Sequence, residues 1–185
     1  MIFCRCADGA FVIKGCATVA QEIYSAQMAR VLGVAAPHTR LVSWPGSEWQ
    51  NLQKNVKRHL LRKGLIDHSV ANLKHKVEKE LDRPHILIFE LVPSAVGLDC
   101  LQPEELAELL GGAPGVREVG RVCGLDVLLN NADRLPLLWD NGGNAANFML
   151  SSSPAGGAFS VFAIDQAAFS APVGAARDQY CELQH

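Results

Sequence analysis

The sequence predicts an α+β fold, and three stretches carry that prediction. Near the N-terminus, Ala7-Asp8-Gly9 divides two strand-like runs, residues 2–7 and 10–14, and Asp-Gly is a strong hairpin signal. From Thr18 the apolar residues change to a 3.6-residue period, which marks a helix. In the second half, a long helical run over 115–131 gives way to two short apolar runs, Asn147–Leu150 and Phe159–Ile164. A Ser- and Gly-rich stretch separates those runs, as in a β-hairpin.

The elements follow in order. Thr18-Val19-Ala20-Gln21 has the form of a capping box, so a helix is expected from about Val19 to Leu32, stopped at Gly33. Val19, Ile23, Ala26 and Arg30 form one of its rows and Ala20, Tyr24, Met28, Val31 and Leu32 a neighbouring one. Together they predict a broad buried stripe. Pro37 leads to a strand at Thr39–Ser43, and Trp44 to Ser47 reads as a turn. Glu48 to Leu81 reads as two polar helices split near Gly64. His85–Val92, a β-rich apolar run between Pro84 and Pro93, reads as a buried strand. Pro103 opens a short helix that ends at Gly111-Gly112, and Gln166–His185 is only weakly patterned.

A chain of 185 residues makes one ordinary domain or two small lobes, and 49 % apolar with 19 % charged residues describes a folded globular protein. The net charge of −2 points to neither nucleic acid nor membrane as a partner. No apolar run approaches the roughly 20 residues of a membrane helix, and the N-terminus lacks the basic and apolar regions of a signal peptide. Six cysteines without Cys-x-x-Cys spacing read as reduced thiols of a cytoplasmic protein; zinc through Cys4, Cys6 and Cys16 is the weaker alternative. Histidines 59, 68, 75 and 85 show no metal-ligand pattern. Nine lysines and arginines crowd the segment from Lys54 to Arg83, either as a solvated face or as a protein-docking surface.

The chemistry concentrates in GLDVLLNNADRLPLLWDNGGNAAN, residues 124–147. A helical run breaks into Asn130-Asn131-Ala132-Asp133-Arg134, and Pro136 forbids its continuation. After a turn over Trp139–Gly143 the chain reaches Asn147 at the start of a strand, and the next apolar run ends on Asp165. An acid at a helix break, an amide before a strand and an acid after a paired strand suit a phosphoryl-transfer site, where catalysis is mostly positioning and charge neutralisation. Lys14, taken alone, is an ordinary strand-end lysine reaching water, and Glu22 a favourable charge on a helix first turn. Taken together, a strand lysine and a helix glutamate eight positions on are how protein-kinase-like folds hold a lysine over nucleotide phosphates.

FVIKG, the TVAQE helix, FELVP, the 124–147 stretch and FAIDQ together resemble the actin-fragmin kinase catalytic family, an atypical branch of the protein-kinase superfamily, over about residues 2–168. The resemblance implies a two-lobed kinase-like fold. Its N-lobe would cover 1–92, with a helical insertion at 48–83, and its C-lobe 93–185, with a hairpin carrying metal ligands. It implies an ATP- and Mg2+-dependent serine/threonine kinase acting on a protein, actin or an actin complex. Lys14 would neutralise the α- and β-phosphates with Glu22 as its helix partner, Asp133 would accept the proton of the acceptor hydroxyl, and Asn147 and Asp165 would hold magnesium. Glu90, Leu91 and Val92 would form the hinge that meets the adenine edge; read from the residues alone, they end a core strand. Arg134 either anchors the loop or balances Asp133.

The sequence departs from the common kinase signature in three places. The chain begins where the second strand is expected, without the Gly-rich phosphate loop, and Asp165 is followed by Gln166-Ala167 in place of Phe-Gly. Asp133 and Asn147 lie 14 positions apart, against about four between base and asparagine in the signature. The Trp139–Gly143 excursion must therefore loop out and return. The alternative function is a non-catalytic pseudokinase that binds proteins through the basic segment 48–83.

Overall fold

The computed structural model of the chain describes residues 1–6, 9–64, 69–131, 133–135, 143–151, 160–166 and 168, with the side chains of 61–64 and 69–74 outside that description. The described residues form an α+β structure with two antiparallel sheets and five α-helices. Their contacts divide the chain into two units, Met1–Val19 with His38–Leu91, and Ala20–Pro37 with Val92–His185.

In the first unit, β1 (Ile2–Cys6), β2 (Gly9–Gly15), β3 (Thr39–Ser43) and β4 (His85–Glu90) form a sheet in the order β1-β2-β4-β3. The register pairs Ile13 with Ile88, Lys14 with Leu87 and Leu87 with Leu41. Side chains paired across an antiparallel ladder share a face, so Ile13, Ile86 and Val42 stand on one face and Lys14, Leu87 and Leu41 on the other. α2 (Ser47–Gly64) and α3 (Ser69–Leu81) cover the first of these faces. Although both are polar in composition, α2 turns Trp49, Leu52, Val56 and Leu60 inward, and α3 turns Val77 and Leu81, onto Ile13 and Ile86. Glu80 of α3 accepts the Gly15 amide at 2.6 Å, closing the end of β2.

The second unit is built on α5 (Ala113–Leu129), preceded by α4 (Pro103–Gly111) and joined by α1 (Val19–Val31). β5 (Ala95–Gly97), β6 (Phe148–Ser151) and β7 (Ser160–Ala163) form its three-stranded sheet in sequence order. Val122, Leu125 and Leu129 of α5 meet Phe148, Leu150, Val161 and Ala163 of the sheet in one core, together with Ala29 and Val34. Ala163 donates its amide to Ala35 at 2.9 Å, tying the segment after α1 to β7. α4 starts with a capping box in which Gln102 and Glu105 satisfy each other's backbone amides.

α1 ends in a Schellman-type stop: Gly33 has φ +67°, Val34 donates to Ala29 and Gly33 to Arg30. Its buried face corrects the stripe expected from the apolar pattern. Glu22, Ser25 and Ala29 are the buried residues, while Tyr24, Val31 and Leu32 are exposed. A row of small and polar residues is buried, and of the larger apolar side chains Met28 still packs against the core.

Gly115 lets α4 and α5 approach closely, because a Cβ there would overlap the Leu109 carbonyl oxygen. Helix propensity alone favours Gly→Ala by up to about 1 kcal/mol, whereas forced overpacking costs about 1–3 kcal/mol. Gly115→Ala is expected to destabilise the protein by about 1–3 kcal/mol in urea unfolding; a stabilised variant would show that the backbone contact does not constrain the position.

Candidate functional site

The long helix, expected to reach Asn131, ends two residues earlier. It stops at Leu129 because Asn130 adopts the left-handed conformation (φ 51°, ψ 40°), with Asn130 donating to Asp126 and Val127 carbonyls and Asn131 to the Asp126 carbonyl. This is the geometry of a Schellman stop, and Asn tolerates it better than other non-glycine residues. Asn131 is buried at the break, where its Nδ2 donates to Asp126 Oδ1 at 2.9 Å and its Oδ1 accepts the Asp133 amide at 3.4 Å. Asp133 itself is exposed.

Arg134 is 0 % exposed and ranks first by volume among the fully buried described side chains. Its guanidinium pairs through Nη1 with Asp126, which is 1 % exposed. Nε donates to the Asn147 carbonyl at 3.2 Å and Nη2 to the Ile164 carbonyl at 2.9 Å. The Phe148 ring lies 5.5 Å from the guanidinium carbon. Arg134 therefore fastens the helix end, the residue before β6 and the residue after β7 to one point. Asn144 donates to the Arg134 carbonyl at 3.0 Å, so the chain returns to Arg134 after the excursion. Pro136–Gly142, within that excursion, lie outside the described residues.

Asn147 ends a short 3-10 turn (Ala145–Asn147) and is buried, at 5 % exposure. Its Nδ2 donates to Asp133 Oδ2 at 3.0 Å, and its Oδ1 accepts Asn144 Nδ2 at 3.3 Å. The β6–β7 ladder pairs Phe148 with Ala163, and Ile164 donates its amide to the Asn147 carbonyl at 3.0 Å. Asp165 is the next residue, in a left-handed conformation (φ 50°), so it leaves the same end of the strand pair as Asn147. Gln166 fixes the exit by donating to the Ala163 carbonyl at 2.8 Å. Asp133, Asn147 and the backbone turn at Asp165 thus meet at one end of β6–β7.

This donor set fits a hard cation. The oxygens are a carboxylate and a side-chain amide, and donation of Nδ2 to Asp133 fixes the Asn147 amide so that Oδ1 keeps a second lone pair beyond its bond from Asn144. Among the described residues no group of three or more His, Cys, Asp or Glu side chains is gathered for a metal, and Cys4, Cys6, Cys100 and Cys123 are free thiols.

Burial pushes the Asp126 carboxyl up, and Arg134 and Asn131 offset only part of that shift. A carboxyl raised in the folded state holds its proton more tightly there than in the unfolded chain. Its stabilising contribution is full below the ordinary carboxylate value, about 4, and is lost as pH rises through the raised one. The stability of the wild type relative to Asp126→Asn is therefore expected to fall as pH rises from about 4 toward neutrality, measured by urea midpoints; a flat difference would contradict the burial argument.

The remaining predicted residues lie on other elements. Lys14 is half-buried on β2, on the sheet face opposite α2 and α3, and Glu22 is buried on the first turn of α1. Glu90 ends β4 and donates its amide to the His38 carbonyl at 2.9 Å; Leu91 donates to Ala10 at 3.2 Å. Val92 is buried. Both of those hinge amides are thus engaged within the first unit.

Asp126 and Asn131 were not singled out from the sequence, yet they hold the site's backbone. A signal for Asp126 existed. It falls in the apolar row Val122-Leu125-Leu129, where an acid must be buried and paired.

A sequence model of the family described as actin-fragmin kinase, catalytic, matches residues 1–174. The chain belongs to this family. Two Dictyostelium discoideum proteins, each bearing the name "Putative actin-fragmin kinase", are similar to it. One is 27 % identical over 139 residues, covering 74 % of this chain and 31 % of its own length. The other is 21 % identical over 150 residues, covering 80 % and 33 %. The chain spans about a third of the length of these curated relatives. The span matched by the actin-fragmin kinase family contains every residue discussed above, from Lys14 to Asp165. None of the described helices is long and apolar enough to cross a membrane.

Proposed function

We propose that the chain is an ATP- and Mg2+-dependent kinase domain of protein-kinase-like fold, transferring the γ-phosphoryl group to a serine or threonine hydroxyl of a protein in the cytoplasm. The observation that carries this reading is the Asp133–Asn147 contact of 3.0 Å, at the end of β6–β7 from which Asp165 emerges. Asp133 is exposed and held in place by Asn147 and Asn131, as suits a base that must reach an acceptor hydroxyl and take its proton. Asn147 and Asp165 hold magnesium, which neutralises charge on the nucleotide phosphates when bound. Lys14 neutralises the α- and β-phosphates and Glu22 holds that lysine. Glu90, Leu91 and Val92 form the hinge beside the adenine, where apolar side chains flank the ring. The names of the Dictyostelium relatives support actin as the acceptor.

The test is incubation with γ-labelled ATP and magnesium alongside actin, an unrelated acceptor protein and phosphoinositide. Label on actin Ser or Thr that is absent without magnesium is the expected result. Label confined to the lipid, or to no acceptor, would contradict it.

A second reading, protein binding through the α2–α3 segment, is favoured by the exposure of Lys54, Arg58, Lys76, Lys79 and Arg83. It predicts partner binding that survives Asp133→Asn and weakens when Lys54 and Arg58 are neutralised, the reverse of what phosphate transfer should show.

A further inference from the structure

We infer that Arg134, locked by Asp126, is the positioning residue for the metal side of the site: it fixes the backbone from which both Asn147 and Asp165 project. The inference rests on the reading of Asn147 and Asp165 as magnesium ligands given above.

Three observations carry it. The guanidinium spends its three nitrogens on three separate segments, Asp126 of α5, the Asn147 carbonyl and the Ile164 carbonyl. The last two belong to the residue that carries one ligand and to the neighbour of the other. Second, the same Asp126 carboxylate accepts Asn131 Nδ2, and Asn131 accepts the Asp133 amide, so one buried acid sets both the base loop and the metal loops. Third, the pair is 0 % and 1 % exposed, and a fully buried ion pair is weak support for stability compared with apolar residues of the same size. Its use here is geometric. The planar fork of an arginine reaches three acceptors at fixed angles, which a lysine ammonium on a flexible stem does not reproduce.

Residues that orient metal ligands from behind typically set metal affinity by roughly 10–100-fold. The test measures binding of manganese–ATP by water-proton relaxation enhancement, in the wild type, Arg134→Lys, the charge-free double variant Asp126→Leu/Arg134→Met, and Asp165→Asn. Cooperative thermal unfolding by circular dichroism establishes that each variant is folded at the assay temperature. The double variant removes both charges together, so its fold does not carry an uncompensated buried ion. The expected result is a dissociation constant raised roughly 10–100-fold in both Arg134 variants and in Asp165→Asn. Wild-type affinity in the folded Arg134 variants, with Asp165→Asn weakened, would overturn the positioning role and leave the metal assignment standing. Wild-type affinity in Asp165→Asn as well would overturn the metal assignment and this inference with it.

Discussion

Asp133→Asn is expected to lower phosphate transfer by about 10²–10⁴-fold, the range that a positioned general base contributes, while leaving nucleotide binding within a factor of about two. The reason lies in what the substitution keeps. An asparagine at this position still presents an oxygen to Asn147 Nδ2, the partner that holds the side chain at 3.0 Å. Only the capacity to take a proton is lost, because a side-chain amide is no base at neutral pH. The position is exposed, so stability should change by no more than about 0.5 kcal/mol. Steady-state rates with a protein acceptor, set beside nucleotide binding, separate these effects. A variant that keeps its rate removes Asp133 from the chemistry.

Asp126→Leu should cost about 3–5 kcal/mol, since it strands a guanidinium that is 0 % exposed without its counter-charge. For a protein of this size that corresponds to a fall in melting temperature of roughly 6–20 °C. Burial raises the Asp126 carboxyl and pairing with Arg134 lowers it. A buried pair is weak support for stability, yet breaking it on one side is worse than keeping it. Adding Arg134→Met to Asp126→Leu should recover part of the loss, because no charge is then stranded, while Asn131 Nδ2 and the Asn147 and Ile164 carbonyls still lose their partners. Thermal melts of the two single variants and the double give the coupling directly. Additive losses would mean that the two side chains do not act on each other.

Much of the fold was legible because turn and cap residues punctuate it. Asp8-Gly9, Gly33, Pro37, Pro84, Pro93 and Gly111-Gly112 all lie within three residues of an element boundary. β3 lies where the pattern places it, and the two helices α2 and α3 follow the pattern directly, with apolar residues turned onto the sheet. β5 escaped notice because three residues, Ala95-Val96-Gly97, are too few to display a period. The α1 stripe differs from the apolar pattern because Tyr24, Val31 and Leu32 are exposed while Glu22, Ser25 and Ala29 are buried. The expected end of α5, Asn131, lies two residues beyond the observed one, since Asn130 in a left-handed conformation stops the helix.

In the candidate site, the sequence marks the residues proposed to act and leaves their supports unmarked. Asp133, Asn147 and Asp165 stand at breaks where polar residues interrupt apolar runs, which sequence shows well. Arg134 could not be assigned from sequence, because its role depends on acceptors 8, 13 and 30 residues away, two of them backbone carbonyls that no side-chain pattern records.

The central claim, that Asp165 with Asn147 holds the magnesium of a nucleotide site beside Asp133, is tested most directly by calorimetric titration of Mg·ATP into the wild type and Asp165→Ala. Saturable binding that requires magnesium and weakens at least about tenfold in the variant, within the several kcal/mol a metal contact supplies, is the predicted result. Absence of binding to the wild type, or equal binding to both proteins, would contradict it.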